Sequence, residues 1–330
     1  MKTTIISTTS TLPALNGRTL RFAGAAAVLA ALSFAYGCGG GSSSATRQIV
    51  TVPTSFATVD GPAGSPTTLN GISNNDTIVG FTTNNGVNNN FLDTVGKFSS
   101  FSVGDPAAGM GNAVNSHGEV VGVANNSAFL LSGLTKTVLS VPGSTSSVAL
   151  GINDAGVIVG QYTAASGGAT PGFVDVNGVF TTINPIPAAM VTNVQGVNNN
   201  GLAIGFYSSD GVHQHGFTYN INSKQVTLLA DPSTARITTG GLVLTQFLGL
   251  NDDNEAVGYY QTNNGSQFGF LFNLNSKTYT FLDAPLAAPV SGVQITQITG
   301  VSNTGEICGF YVDATGVQHG FTGSSSSSNK

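Results

Sequence analysis

Short runs of aliphatic, β-branched and aromatic residues alternate along this chain with clusters of Gly, Asn, Asp, Ser and Pro. Between Val148 and Asn184 the runs are VALGIN, GVIVGQYT, GFVDV and VFTTIN; between Gln246 and Asp283 they are QFLGLN, EAVGYYQT, FGFLFNL and TYTFLD. Runs of this length and composition, bounded by turn formers, predict strands. No 3.6-residue period is present. The turns between first and second strands are tight and Asn/Asp/Gly-containing, as in Asn153-Asp154-Ala155-Gly156. Those between third and fourth strands, such as Asn177-Gly178 and Asn275-Ser276-Lys277, are tight as well. Such residues accept φ > 0 and bond their own backbone, as hairpins require.

The pattern repeats. GISNNDTIVG from Gly71, AVNSHGEVVG from Ala113, GINDAGVIVG from Gly151, GVNNNGLAIG from Gly196, GLNDDNEAVG from Gly249 and GVSNTGEICG from Gly300 are spaced by 42, 38, 45, 53 and 51 residues. Four antiparallel strands every ~45 residues is the blade pattern of a β-propeller. The expected fold is therefore all-β: a six-bladed propeller over residues 54–322. The last unit stops after its third strand, at Gly320-Phe321-Thr322, while Phe56–Asp60 aligns with the fourth strands Phe180–Asn184 and Tyr279–Asp283. Placing the N-terminal strand on the sixth blade closes the ring and removes two open edges.

The core Gly151–Tyr162, the third strands His215-Gly216-Phe217 and His319-Gly320-Phe321, and the strand end Thr280–Asp283 resemble the HAF-type bacterial extracellular repeat. The resemblance covers about residues 55–322. It implies the repeat type and an extracellular setting, and little about activity. The second unit departs most, with Ser127-Ala128-Phe129 in place of His-Gly-Phe.

The N-terminus adds a location. Lys2, Arg18 and Arg21 precede or flank a 13-residue apolar run, Phe22–Phe34, with no acid before it. That run is shorter than the ~20 residues needed to cross a bilayer and suits an export signal. Ala35-Tyr36-Gly37-Cys38 then resembles a lipoprotein signal, with Ala35 where Leu is preferred. The resemblance implies a lipidated Cys38 as mature N-terminus, and Gly39 after it permits outer-membrane delivery; plain secretion is the alternative. Residues 39–53, rich in Gly and Ser, read as a flexible tether, and 323–330 as a disordered Ser-rich tail.

Charged residues are only 8% of the chain and its net charge is −5. Removing residues 1–38 takes away three of ten basic groups and no acid, leaving seven against fifteen, a net −8. The membrane would thus be engaged through the lipid alone, and nucleic acid is not an expected partner. Cys308 replaces the Val of the sixth IVG, which predicts a buried, inert thiol.

Candidate chemistry is sparse. His213-Gln214-His215 would place two rings on one side of a strand, but His215 shares its repeat slot with His319, Pro171 and Phe268. Two His without a third ligand make a poor metal site, so no metal and no cofactor is expected. The Asn/Asp turns lack the ligand count of a calcium loop. Asp60, Asp154, Asp252 and Asp283 occupy recurring turn or strand-end slots. Asp210 and Asp313, both just past a second strand, stay as site candidates, although they match one another through the repeat. No GxSxG or Walker pattern occurs. Counting strands up and down places the longer loops, after second and fourth strands, on one face of the disc. Tyr162, Tyr207, Tyr260 and Tyr311 recur at second-strand ends beneath it, either as an aromatic ring for a glycan or peptide or as packing between blades. The expected function is a non-catalytic surface module binding a glycan or protein. A propeller hydrolase or lyase acting on polysaccharide and a purely structural envelope protein are its rivals.

Overall fold

A computed structural model describes residues 49–50, 55–62, 64, 66–233, 237 and 241–324. The expected signal segment, Cys38, the first part of the tether and the end of the Ser tail lie outside them. The chain forms six four-stranded antiparallel blades arranged as a propeller. In order from the axis outward, the third blade comprises Ser144–Ile152, Ile158–Ala164, Gly172–Val176 and Val179–Ile183. The other five repeat this order.

The repeat motif builds the interfaces. The middle residue of each IVG-like run (Val79, Val121, Val159, Ile204, Val257 and Cys308) packs onto the next blade. The third-strand Phe of each blade is buried; Phe173, Phe217 and Phe270, each 0% exposed, pack toward the preceding blade. The buried clusters among the described residues number six, one per interface, and the last joins Cys308 of blade 6 to Leu69, Ile78 and Phe91 of blade 1. Apolar burial of this kind is worth roughly 1.5–3 kcal/mol per large side chain. Cys308 is 0% exposed and burial pushes its thiol up to about 12, so it is inert as expected.

Each innermost strand carries a β-bulge at one shared place: between Leu69 and Gly71, Gly111 and Ala113, Ala149 and Gly151, Val194 and Gly196, Phe247 and Gly249, and Ile298 and Gly300. A bulge bends its strand and sharpens the twist, which turns the strand's end around the axis. It also explains the glycine of IVG. A Cβ on Gly205 would run into the carbonyl of Asn193 on the bulged neighbour, and Gly122, Gly160, Gly258 and Gly309 meet the equivalent carbonyls.

The ring closes as the repeat arithmetic predicts. Phe56–Val59 pairs antiparallel with Gln318–Ser324, Phe56 opposite Gly323 and Val59 opposite Gly320. Blade 6 then meets blade 1 through Thr299 Oγ1 donating to the Leu69 carbonyl at 2.7 Å and Gln318 Nε2 donating to Thr68 Oγ1 at 2.6 Å. Phe56 and Val59 are half-buried rather than fully buried, because an outermost strand has a neighbour on one side only. Two boundaries differ from expectation. The last strand runs to Ser324, since pairing with Phe56 and Glu306 extends it. The tether expected over 39–53 contains a short strand, Ile49–Val50, that pairs parallel with Thr278–Leu282 on the rim of blade 5.

Candidate functional site

The two faces of the disc are built differently. The turns between first and second strands gather around the axis on one face. After the last aliphatic residue of each inner strand comes Ser73, Asn115, Asn153, Asn198, Asn251 or Ser302. The Asn198 Oδ1 accepts the N–H groups of Asn200 and Leu202 within its own turn, while its Nδ2 donates to the Asn251 carbonyl of the next blade at 3.1 Å. Asn115 reaches Asn153 in the same way, Asn153 reaches Asn198, and Asn251 reaches Ser302. Asn303 N–H to Asn74 Oδ1 and Asn75 Nδ2 to the Ser116 carbonyl complete the circuit through blade 1. A second tier lies above it. Asp154 Oδ1 accepts from Ser116 N–H, Asp252 Oδ1 from Asn199 N–H, and the Asn199 amide spans both carboxylates at 2.9 and 3.0 Å.

These turns, first read as local turn chemistry only, are therefore a belt tying all six blades. An amide accepts within its turn and donates outward at the same time, which a carboxylate cannot do. Asn198, 3% exposed, gives the test. Asn198→Asp is expected to cost more than Asn198→Ser in a urea melt. Both strand the Asn251 carbonyl, at about 1–3 kcal/mol, but Asp also buries a charge beside it, whereas Ser is native at 73 and 302. Equal tolerance of both would remove the belt's role.

The belt rims a shallow cavity of about 50 Å³ whose lining includes Ile72, Val114, Ile152, Val197, Leu250 and Val301. It has room for a few waters and none for a sugar ring. Asp154 and Asp252 both line it. Burial pushes Asp154 up, but hydrogen bonds from Ser116, Asn199 and Asn74 outweigh this and hold it below the usual carboxylate range. A general acid needs the opposite shift. Asp93 and Asp175 are raised by desolvation, yet they cap the tight turns at Gly96 and Gly178. No group of three or more metal-ligating side chains occurs among the described residues.

The opposite face carries the connections after second and fourth strands. The first of them, after the second strand of blade 1, is not one of the longer loops expected there but a two-residue hairpin at Asn85-Gly86, because Thr82–Asn84 keep pairing with Val87–Asn89. The connections between blades are the longer ones, reaching from Leu228 to Leu242 and from Leu282 to Thr296.

The candidate tyrosines do not form an open ring. Tyr162 and Tyr207 are 9% exposed, Tyr311 2% and Tyr260 0%. All four belong to the buried clusters between blades, and Tyr162, Tyr260 and Tyr311 also touch the outermost strand of their own blade. Tyr207 and Tyr311 lie against His215 and His319, and Tyr260 against Phe268 and Phe281. Tyr162 and Tyr311 also bond Thr182 and Thr58 at 2.9 and 3.0 Å. Asp210 and Asp313 organise their own loops: Asp210 Oδ1 accepts from Val212 and His213 N–H, and Asp313 Oδ1 from Thr315 and Val317 N–H. Ser208 and His213 both bond Asp210, at 3.1 and 2.6 Å. The serine hydroxyl is thus spent on the carboxylate and is not aligned with the imidazole as a nucleophile needs.

The slot histidines pair with the acid that ends the fourth strand: His215 with Asp231 at 2.8 Å and His319 with Asp60 at 3.0 Å. The second pair clasps the N-terminal strand to the last blade. The Asp231 hydrogen bond raises His215 above its ordinary value of 6.5. Its contribution is therefore full below about pH 6.5 and is lost as pH rises through the raised folded-state value. The stability difference between the wild type and His215→Gln is expected to shrink across that window. A constant difference would contradict the pairing.

No family model and no curated protein sequence matches the chain. Solved structures do. One assigned as a TolB from Agrobacterium tumefaciens aligns at a TM-score of 0.50 with 9% identity over 65% of this chain and 79% of that one. A lectin of Aleuria aurantia in complex with Fucα1-6GlcNAc aligns at 0.47 and 12% over 76% and 89%. An oligogalacturonate lyase from Vibrio parahaemolyticus aligns at 0.46 and 10% over 86% and 99%. At such identity the likeness concerns the fold alone.

Proposed function

We propose that this chain is a non-catalytic binding module of the bacterial envelope, lipid-anchored through Cys38, that engages an extracellular glycan or protein with its long-loop face. The observation that carries this is the contrast between the faces. On the tight-turn face, the Asn, Asp and Ser side chains of the first-to-second turns hold the blades together around a cavity too small for a sugar. The other face holds the longest connections, where binding residues collect on a rigid scaffold. Of the two ligand classes, the exposed side chains favour a protein. Met190, Val212 and Leu286 are 47%, 56% and 58% exposed on that face, and no loop aromatic is exposed among the described residues. Sugar recognition would call for the latter.

The experiment is an array of glycans and peptides probed with residues 49–330, alongside an assay for polysaccharide breakdown. Binding without turnover, reduced by Val212→Asp and Leu286→Asp, is expected. Breakdown of a polysaccharide, or binding indifferent to both substitutions, would overturn the reading. The anchor is tested separately. Cys38→Ala should release the protein from membranes or leave it unprocessed. Wild-type protein wholly in the medium with an unlipidated N-terminus would remove the anchor.

A further inference from the structure

Five Asn-Gly pairs lie among the described residues: Asn70-Gly71, Asn85-Gly86, Asn177-Gly178, Asn200-Gly201 and Asn264-Gly265. Asparagine is a chemically labile side chain. It is most labile before glycine, whose missing Cβ leaves the backbone nitrogen open to approach the Asn amide. The structure holds three of the five shut by several contacts each. Asn70 belongs to the inner strand Thr67–Ile72, its amide donates to the Gly111 carbonyl at 2.9 Å, and Gly71 is buried. The Asn200 amide donates to the Asp252 carbonyl at 2.9 Å, and Gly201 N–H to the Asn198 carbonyl at 3.3 Å. Asn264 Oδ1 accepts from the Thr262 hydroxyl and from Ser266 N–H, while Gly265 N–H donates to the Thr262 carbonyl.

The remaining two form a matched pair. Asn85-Gly86 and Asn177-Gly178 are both exposed two-residue hairpin turns. Their φ angles are 49° and 76° in the first, 54° and 82° in the second. They differ in one contact. Two residues before Asn177 stands Asp175, whose Oδ1 accepts Gly178 N–H at 2.7 Å. The same place before Asn85 is held by Thr83, whose hydroxyl donates instead to Asn88 Oδ1 at 3.0 Å. No hydrogen bond among the described residues reaches the Asn85 amide or Gly86 N–H. To attack, the glycine nitrogen must shed its proton and turn toward the Asn Cγ. A carboxylate bonded to that N–H opposes both steps. Its negative charge disfavours a second anion beside it, and the bond fixes the direction of the N–H.

We infer that Asn85 is a site of spontaneous deamidation in the folded chain, and that the Asp175 carboxylate protects Asn177 from the same reaction. The Gly86 nitrogen attacks Asn85 Cγ. The N–Cγ bond forms, the Cγ–Nδ2 bond breaks, and Nδ2 leaves as ammonia with the proton that Gly86 gives up. Water then opens the succinimide at either carbonyl, to aspartate or to isoaspartate. Water is the one co-reactant, and nothing is oxidised or reduced. The product places a new carboxylate at the tip of a hairpin on the long-loop face, and the isoaspartate form adds a methylene to its backbone.

The full-length chain is aged in mildly alkaline buffer, and each site is read by peptide mass and by labelling with an isoaspartate-specific methyltransferase. Asn85 is expected to convert severalfold faster than the other four, and the five rates to converge in concentrated urea. Thr83→Asp, which supplies the carboxylate that this hairpin lacks, should slow Asn85 severalfold. Asp175→Ala should bring Asn177 up to the rate of Asn85. Asn85→Gly keeps a residue that accepts the positive φ and should remove the signal. Melting curves check each variant; if Asp175→Ala does not fold, Thr83→Asp at the exposed hairpin decides alone. Asn177 converting as fast as Asn85 in the folded wild type, no conversion at Asn85, or Thr83→Asp without effect overturns the inference.

Discussion

Deleting residues 48–60 is expected to abolish the single cooperative unfolding transition of the whole domain, whereas removing residues 325–330 leaves it in place. The deleted strand carries Phe56, stacked 5.5 Å from Phe321 and 5.8 Å from Tyr311, the Thr58 hydroxyl bonded to Tyr311, and Asp60 bonded to His319. These contacts are worth roughly 1 kcal/mol per hydrogen bond and roughly 1–3 for the half-buried apolar side chains. The larger effect is topological. Without the strand, the third strand of blade 6 becomes an open edge with Phe321 and Tyr311 uncovered, a template for aggregation. A typical domain has only about 5–15 kcal/mol in hand. Differential scanning calorimetry of the two truncations decides it. An unchanged melt after deletion of 48–60 would mean that the ring closes some other way.

The second large effect concerns the tyrosines. Tyr207→Ala, Tyr260→Ala and Tyr311→Ala together are expected to unfold the domain rather than create a folded protein with a bare binding face. Each removes a ring that is 9%, 0% or 2% exposed, at a cost on the order of 3–5 kcal/mol. The three sit in adjacent blades, so their losses accumulate around half the ring. Circular dichroism during a thermal scan separates the outcomes. A triple variant that melts like wild type would return these residues to the surface and revive the aromatic-ring reading.

Much of the fold was legible because a propeller reuses one sentence of sequence. The number of IVG runs counts the blades, and the orphan fourth strand at Phe56–Asp60 locates the closure. Cys308 could be placed because its repeat equivalents are Val and Ile. The site was less legible. A recurring tyrosine at a strand end looks the same whether the fourth strand covers it or stops short, and only the pairing shows that it is covered. The inter-blade belt was missed for a different reason. Asn in a turn is explained locally, so its reach to the next blade leaves no local trace. One signal was available. The slot after the inner-strand aliphatic holds Asn at 115, 153, 198 and 251 and never Asp, although turns accept both. A slot that takes Asn or Ser and never Asp is donating as well as accepting. The tether strand Ile49–Val50 had no signal at all, since its pairing depends on which rim the chain passes.

The most direct test of the account is photo-crosslinking on intact cells. A photoreactive residue is placed in the full-length chain at Val212 or Met190 on the long-loop face, and at Ala155 or Leu134 on the tight-turn face. Covalent protein adducts from Val212 and Met190, with none from Ala155 and Leu134, are the predicted result. Adducts confined to the tight-turn positions, or none from either face, would contradict a module that binds outward through its long-loop face.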